Sequence, residues 1–181
     1  RGVPSSPLYL DDVLLPEDAI LGDPGKGFRQ VMGALALSRP IIGARAVGLA
    51  QGALDLAMQF MRERRAFDQP LTDFQGLRWM LADMEMQIEA ARGLVYRAAA
   101  MTDAGIRGKE LAHAAAISKA FASDMAMKVA TDAVQIFGAS GISNDYPINR
   151  YFRDAKVVQI IEGSNQIQRN IIAKNLIDGI D

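Results

Sequence analysis

The chain has 181 residues, half of them apolar, and a net charge of −1. That size and composition suit one globular domain with a sizeable core, and the charge gives no electrostatic case for nucleic acid or an anionic membrane surface. With no cysteine, disulfides and thiolate chemistry are excluded; with His113 the single histidine, a His-rich metal site is impossible and a histidine triad is disfavoured.

The first 28 residues carry prolines and glycine clusters around one strand-like stretch, Leu8 to Leu15. A lone strand cannot be stable alone, so this segment reads as the end of a larger unit. The opening RGVPSSP lacks an initiator Met, which points to a processed N-terminus or a piece of a longer protein. Helical periodicity follows. Val31, Leu35, Ser38, Ile42, Ala46, Leu49, Ala53, Leu56 and Phe60 recur at steps of three and four, which predicts one long amphipathic helix. Pro40 lies inside it and predicts a kink or local break. Pro70 marks the connection to a second helix, with a stripe of Leu77, Leu81, Met84, Ile88, Ala91 and Val95, running to about Thr102.

Residues 103–110 read as a turn. A third helix carries Leu111, Ala115, Ser118, Ala122, Met125, Val129, Ala133 and Ile136, a stripe with small residues that permits close helix approach, and GASG (138–141) stops it. Residues 144–156 predict a turn and a short helix, and a last helix runs from about Ser164 to Ile177. No strand-period segment follows residue 28, and no apolar run reaches membrane-spanning length. The expected fold is all-α, an up-down bundle of four main helices plus a short one, behind a short N-terminal β or irregular segment. The domain division is 1–28 and 29–181.

Glu162, in VVQIIEGSNQIQR, is the residue most suggestive of chemistry. Apolar neighbours favour its neutral form. The positive end of the last helix, with Ser164 as a plausible N-cap, favours the charged form. A carboxylate between those influences suits a general base, although an exposed acid favouring a helix N-terminus is the commoner case. GASG is either a phosphate cradle or, more commonly, a helix C-cap and turn. RERRAF (62–67) puts cations at a helix C-terminus, where they complement its dipole or meet an anionic ligand. Arg39, on or beside the apolar stripe, needs an internal acid or a ligand as partner. The methionines read as core filler.

Together these segments resemble the acyl-CoA dehydrogenases. The resemblance rests on LDDVLLPEDAILGDPGKGF, LSRPIIGARAVGLAQGALDLA, RERRAFDQPLTDFQGLRWMLADM, TDAVQIFGASGISNDYPINRYFRDAK and QIIEGSNQIQR, collinear over essentially the whole chain. It implies the end of a middle β-domain followed by a C-terminal helical domain, and an FAD enzyme that oxidises an acyl-CoA to the trans-2-enoyl-CoA. It implies Glu162 as catalytic base; some relatives carry the base on the first helix, at a position matching Ser38 here. It implies FAD contacts at Arg64, Phe67, Gln75, Gln135, Gly138, Ala139, Gly163, Ser164 and Gln166, shared across subunits of a dimer or tetramer. It places Arg39, Ile42, Ile161 and Gly163 near the acyl-CoA, with no metal.

An electron-transfer flavoprotein is the acceptor the resemblance implies, and the cytoplasm, or the mitochondrial matrix in a eukaryote, is the expected location. No nucleic-acid or membrane partner is expected. The residues alone are expected to bind FAD weakly and to lack turnover. An oxidase-like flavoenzyme using oxygen, and a non-catalytic oligomerisation module of the same fold, are the rival readings.

Overall fold

The computed structural model describes residues 6–179. Five helices dominate: α1 (Gly27–Glu63), α2 (Gln75–Asp103), α3 (Gly108–Phe137), α4 (Ile148–Ile160) and α5 (Asn165–Asp178). The fold is the all-α bundle that the periodicity predicts. Two strands of two residues each, β1 (Arg65–Ala66) and β2 (Gln69–Pro70), pair antiparallel in the connection between α1 and α2. They depart from the expectation of no strand after residue 28, because two residues are too few to show alternation. Phe67 and Asp68 turn between them with φ of 49° and 61°, the paired left-handed residues of a tight hairpin.

Leu8 to Leu15 forms no strand. A strand needs a neighbour to accept its hydrogen bonds, and none of the described residues pairs with this stretch, which leaves Leu8, Leu14 and Leu15 exposed. The first helix begins at Gly27.

Pro40 neither ends nor interrupts α1, so the local break it could have caused does not occur. Proline removes one backbone hydrogen bond. Burial of Gly43, Ala46, Val47, Ala50, Ala53, Leu54, Ala57 and Met61 beyond it holds the helix in one piece. This buried face is also rotated from the predicted stripe. Small residues make the closest approach to α3, while Ile42, Leu49, Leu56 and Phe60 flank it half-buried and Val31 is exposed. By length and composition α1 is apolar enough to cross a bilayer, with an 18-residue stretch of mean hydropathy 1.3, contrary to the sequence expectation. Of that stretch, 39% is buried, against α2, α3 and α4.

α3 is the centre of the bundle and packs on all four other helices. Every residue of its predicted stripe is buried, and so are Ala114, Ala116, Lys119, Ala120, Ser123, Ala126 and Ala130 on its other sides. α2 contributes Met84, Ile88, Ala91 and Val95 as predicted, and also Ala98. At the C-terminal ends of α1 and α3, Phe60 stacks on Phe137 with ring centroids 4.1 Å apart, and Tyr146 meets both rings edge-on.

Close approach requires glycine at position 43. A Cβ on Gly43 would stand 2.9 Å from Cγ2 of Val95, a stiff and buried side chain, and 3.4 Å from the Ser118 carbonyl. Gly43→Ala should therefore destabilise the chain by about 1–3 kcal/mol in denaturant titrations. Gly48→Ala, on the exposed side of the same helix with open space around its Cβ, should stabilise it by roughly 0.5–1 kcal/mol.

Candidate active site

Four residues, Ile161 to Ser164, join α4 to α5, and two of them adopt left-handed backbone: Glu162 at φ 58° and Gly163 at φ 89°. The second position needs glycine twice over. Its φ strains any L side chain, and a Cβ there would meet Nε2 of Gln168 at 2.9 Å. Glu162 carries a strain of about 1–3 kcal/mol, of a kind concentrated at functional sites. Ser164 occupies the N-cap position of α5, but its hydroxyl caps nothing, in contrast to the prediction. The junction is held instead by side chains reaching in from other helices.

From α1, the Ser38 hydroxyl donates to Oε2 of Glu162 at 2.6 Å, and Arg39 Nε donates to the Glu162 carbonyl at 3.3 Å. Arg39 is 4% exposed. Burial lowers its pKa and the Glu162 charge works against that shift. Glu162 is thus the internal partner that a stripe arginine requires. From α5, Gln168 Nε2 donates to the carbonyls of Glu162 (3.3 Å) and Gly163 (2.9 Å). From α3, Lys119 Nζ donates to the carbonyls of Gln159 (3.2 Å) and Gly163 (2.9 Å) and to Oδ1 of Asn165 (2.8 Å).

Asn165, the first residue of α5, is buried and extends this network. Its amide donates to Ser123 Oγ at 2.8 Å and to Asp124 Oδ1 at 2.7 Å. Gln159 and Arg169 also bond to Asp124, at 2.6 and 2.5 Å. Burial pushes the Asp124 carboxyl up, but the bonds from Arg169, Asn165 and Gln159 outweigh it and hold the group below the usual range.

The predicted site residues fall into two groups. Glu162, Gly163, Arg39 and Ile161 meet at the junction, and Ile42 lies one turn beyond Arg39 on α1, half-buried. Ser164 and the exposed Gln166 adjoin them on α5. Arg64, Phe67 and Gln75 lie at the α1–α2 connection, with Gln135, Gly138 and Ala139 at the end of α3. The Phe60–Phe137 stack brings these two sets to the same end of the bundle. The 26 helical residues from Ser38 to Arg64 span about 39 Å, so the second group is remote from Glu162 of its own chain.

Gly138, at φ 58°, ends α3, and GASG continues as a short 3₁₀ turn. The N–H groups of Ile142 and Ser143, just after it, bond back to the carbonyls of Ala139 and Ser140. The helix-stop reading of GASG therefore holds. Arg65 donates to the Asp68 carbonyl at 2.5 Å, whereas the exposed Arg64 takes part in none of the ion pairs among the described residues.

The sequence reading passed over Lys119, Ser123, Asp124, Asn165 and Gln168. A signal was there: Lys119 stands in AAAISKAFAS, a run of small and apolar residues with no solvated neighbour on that face. Such a lysine is buried with partners or it prevents the helix from packing.

Burial, opposed by the charges of Asp124 and Glu162 and aided by that of Arg39, brings the Lys119 ammonium down from 10.5 to about 8. The unfolded chain keeps its proton up to about pH 10.5, while the folded chain releases it from about pH 8. Between those values the unfolded state holds more protons, so stability rises with pH, by at most about 3 kcal/mol; below pH 8 the cost of the buried charge is fully present. Denaturant titrations at pH 7.5 and 10 should show this rise as the difference between the native chain and Lys119→Met, which lacks it.

Residues 25–177 match the sequence family described as acyl-CoA dehydrogenase, C-terminal domain. The probable acyl-CoA dehydrogenase FadE25 of Mycobacterium leprae is 48% identical over 98% of this chain and 45% of its own length. Among solved structures, butyryl-CoA dehydrogenase from Megasphaera elsdenii superposes with a TM-score of 0.88 at 45% identity, covering 92% of this chain and 43% of that one. A chain of the structure described as the electron transferring flavoprotein of Acidaminococcus fermentans superposes at 0.89 and 45% identity, with coverage of 92% and 43%. The chain therefore spans less than half the length of the relatives it matches. It belongs to the acyl-CoA dehydrogenase family and corresponds to that family's C-terminal helical domain.

Proposed function

We propose that the chain is the C-terminal part of an FAD-dependent acyl-CoA dehydrogenase, in which Glu162 removes the α-proton of an acyl-CoA thioester to give the trans-2-enoyl-CoA. The observation that carries this reading is the Glu162 carboxylate itself. It is half-buried on a left-handed turn, takes a hydrogen bond from Ser38, and has its own carbonyl held by the buried Arg39. A base fixed in this way loses no orientational freedom when it meets its substrate. The contact with Ser38 also accords with relatives that carry the base on the first helix: positions 38 and 162 converge in space.

Bound FAD would supply the hydride acceptor for the β-hydrogen, with Glu162 taking the α-proton. The residues at the far end of the bundle suit such a ligand. Arg64 offers an exposed guanidinium to a pyrophosphate, Phe67 is 91% exposed, and Gln75 opens α2 at the positive end of its dipole. Gly163, Ser164 and Gln166 would approach the flavin from the Glu162 end. The two ends lie about 39 Å apart along α1, so this reading requires a second subunit to complete each site. The likeness to a chain of an electron transferring flavoprotein structure supports such a flavoprotein as acceptor. Residues 1–28 are read as the end of the β-domain.

In the full-length protein, Glu162→Gln should slow acyl-CoA-dependent bleaching of the flavin about 10³-fold while folding and flavin content persist. An unchanged rate would exclude Glu162 as the base. The 181 residues alone should purify nearly colourless and without turnover; a yellow, active sample would show that they suffice by themselves.

A further inference from the structure

Glu162 and Gly163 both have left-handed backbone, and among the described residues their carbonyls accept from side chains rather than from the backbone N–H groups of the turn. Lys119 is one of those donors. Its side chain is completely buried and its Nζ reaches three acceptors: the carbonyl of Gln159 in the last turn of α4, the carbonyl of Gly163 in the turn, and Oδ1 of Asn165 at the start of α5. These three bracket Glu162 on both sides. The cation also sits where the negative end of the α4 dipole is greatest. Oδ1 of Asn165 accepts from Ser123, one turn along α3, and its amide donates to Asp124, so the anchor is tied to the central helix at three points. Gln168 shares the Gly163 carbonyl from the opposite side.

We infer that Lys119 is a positioning residue for Glu162: its buried ammonium locks the α4–α5 junction so that the carboxylate and the N–H of Glu162 face the substrate in one orientation. The inference rests on Glu162 being the base. Lys119 touches neither the carboxylate nor any reacting atom, and acts only through the backbone on either side.

The test compares Lys119→Met, which keeps the length and loses the charge, with Lys119→Gln, which keeps a donor. In the FAD-loaded full-length protein, Lys119→Met should lower kcat about 10- to 100-fold for an acyl-CoA substrate with KM changed less than threefold, and Lys119→Gln should recover part of the loss. In the same protein without substrate, amide exchange of residues 160–168 should quicken at least tenfold in Lys119→Met, with exchange in α2 unchanged. This second measurement does not depend on turnover, so it separates failure of the inference from failure of the dehydrogenase reading. If Glu162→Gln proves active while the exchange result stands, the function is wrong and the lock survives. Exchange that is unchanged, or that quickens equally throughout the chain with kcat of the folded protein intact, would overturn the inference. Should Lys119→Met not fold, the same two measurements on Lys119→Gln decide.

Discussion

The α4–α5 turn exists because side chains from three helices hold its carbonyls. A chain passing through two consecutive left-handed residues gives up helical hydrogen bonds, and each buried carbonyl left without a donor costs about 1–3 kcal/mol. Arg39 from α1, Lys119 from α3 and Gln168 from α5 supply those donors. Two of the three are cations, and both are buried. Charge assistance makes such bonds roughly twice as strong as neutral ones, and the low dielectric inside the bundle adds to that. The cost is desolvation of the two charges, visible in the depressed proton affinity of both. The Glu162 charge opposes that cost at both sites. Turn, carboxylate and cations therefore form one electrostatic unit, and removing any member leaves a buried charge or carbonyl without its counterpart.

That unit can form only because α3 runs through the middle of the bundle. Alanine and serine on its several faces let α1, α2, α4 and α5 come close, and Gly43 of α1 lies against the Ser118 carbonyl of α3. With the backbones this close, a lysine on α3 is long enough to reach the far side of the junction and too enclosed to reach solvent. Small residues, which contribute little hydrophobic area of their own, set the position of the charge that matters.

Helix number, order and approximate bounds were legible because 3.6-residue periodicity is a strong signal over long stretches. Ser164 as the start of α5 was legible too, although the hydroxyl that suggested it makes no cap. Three features were not. The β1–β2 hairpin is too short to leave a pattern. The continuity of α1 through Pro40 depends on packing against α3, which local propensity does not contain. The rotation of its buried face has the same origin: the sequence rewards large apolar residues, whereas close packing selects the small ones beside them. At the site, Glu162 and Arg39 stood out as charges in apolar surroundings. Their convergence joins residues 123 positions apart, and so does not follow from spacing. Lys119 is equally visible, a lysine among small and apolar residues, but it lies beside the predicted stripe of its helix and not in it.

Under the proposed function, the length of α1 becomes a design constraint on assembly. The helix holds the carboxylate site near its first third and ends in Arg64, roughly 39 Å away, beyond the reach of one ligand bound at Glu162. On that reading, a shorter helix would let one chain build a whole site, and this one has two chains share it. Trp79, Met86 and Tyr96 stand along α2 with more than half of their surface exposed, and Phe28, Val31 and Ile41 do the same on α1. Exposed apolar side chains on the two longest outer helices are what such sharing needs, since association must bury enough surface to offset the lost freedom of the partners. Under that proposal, the same long helix that buries Arg39 against Glu162 also carries apolar side chains for a partner to cover.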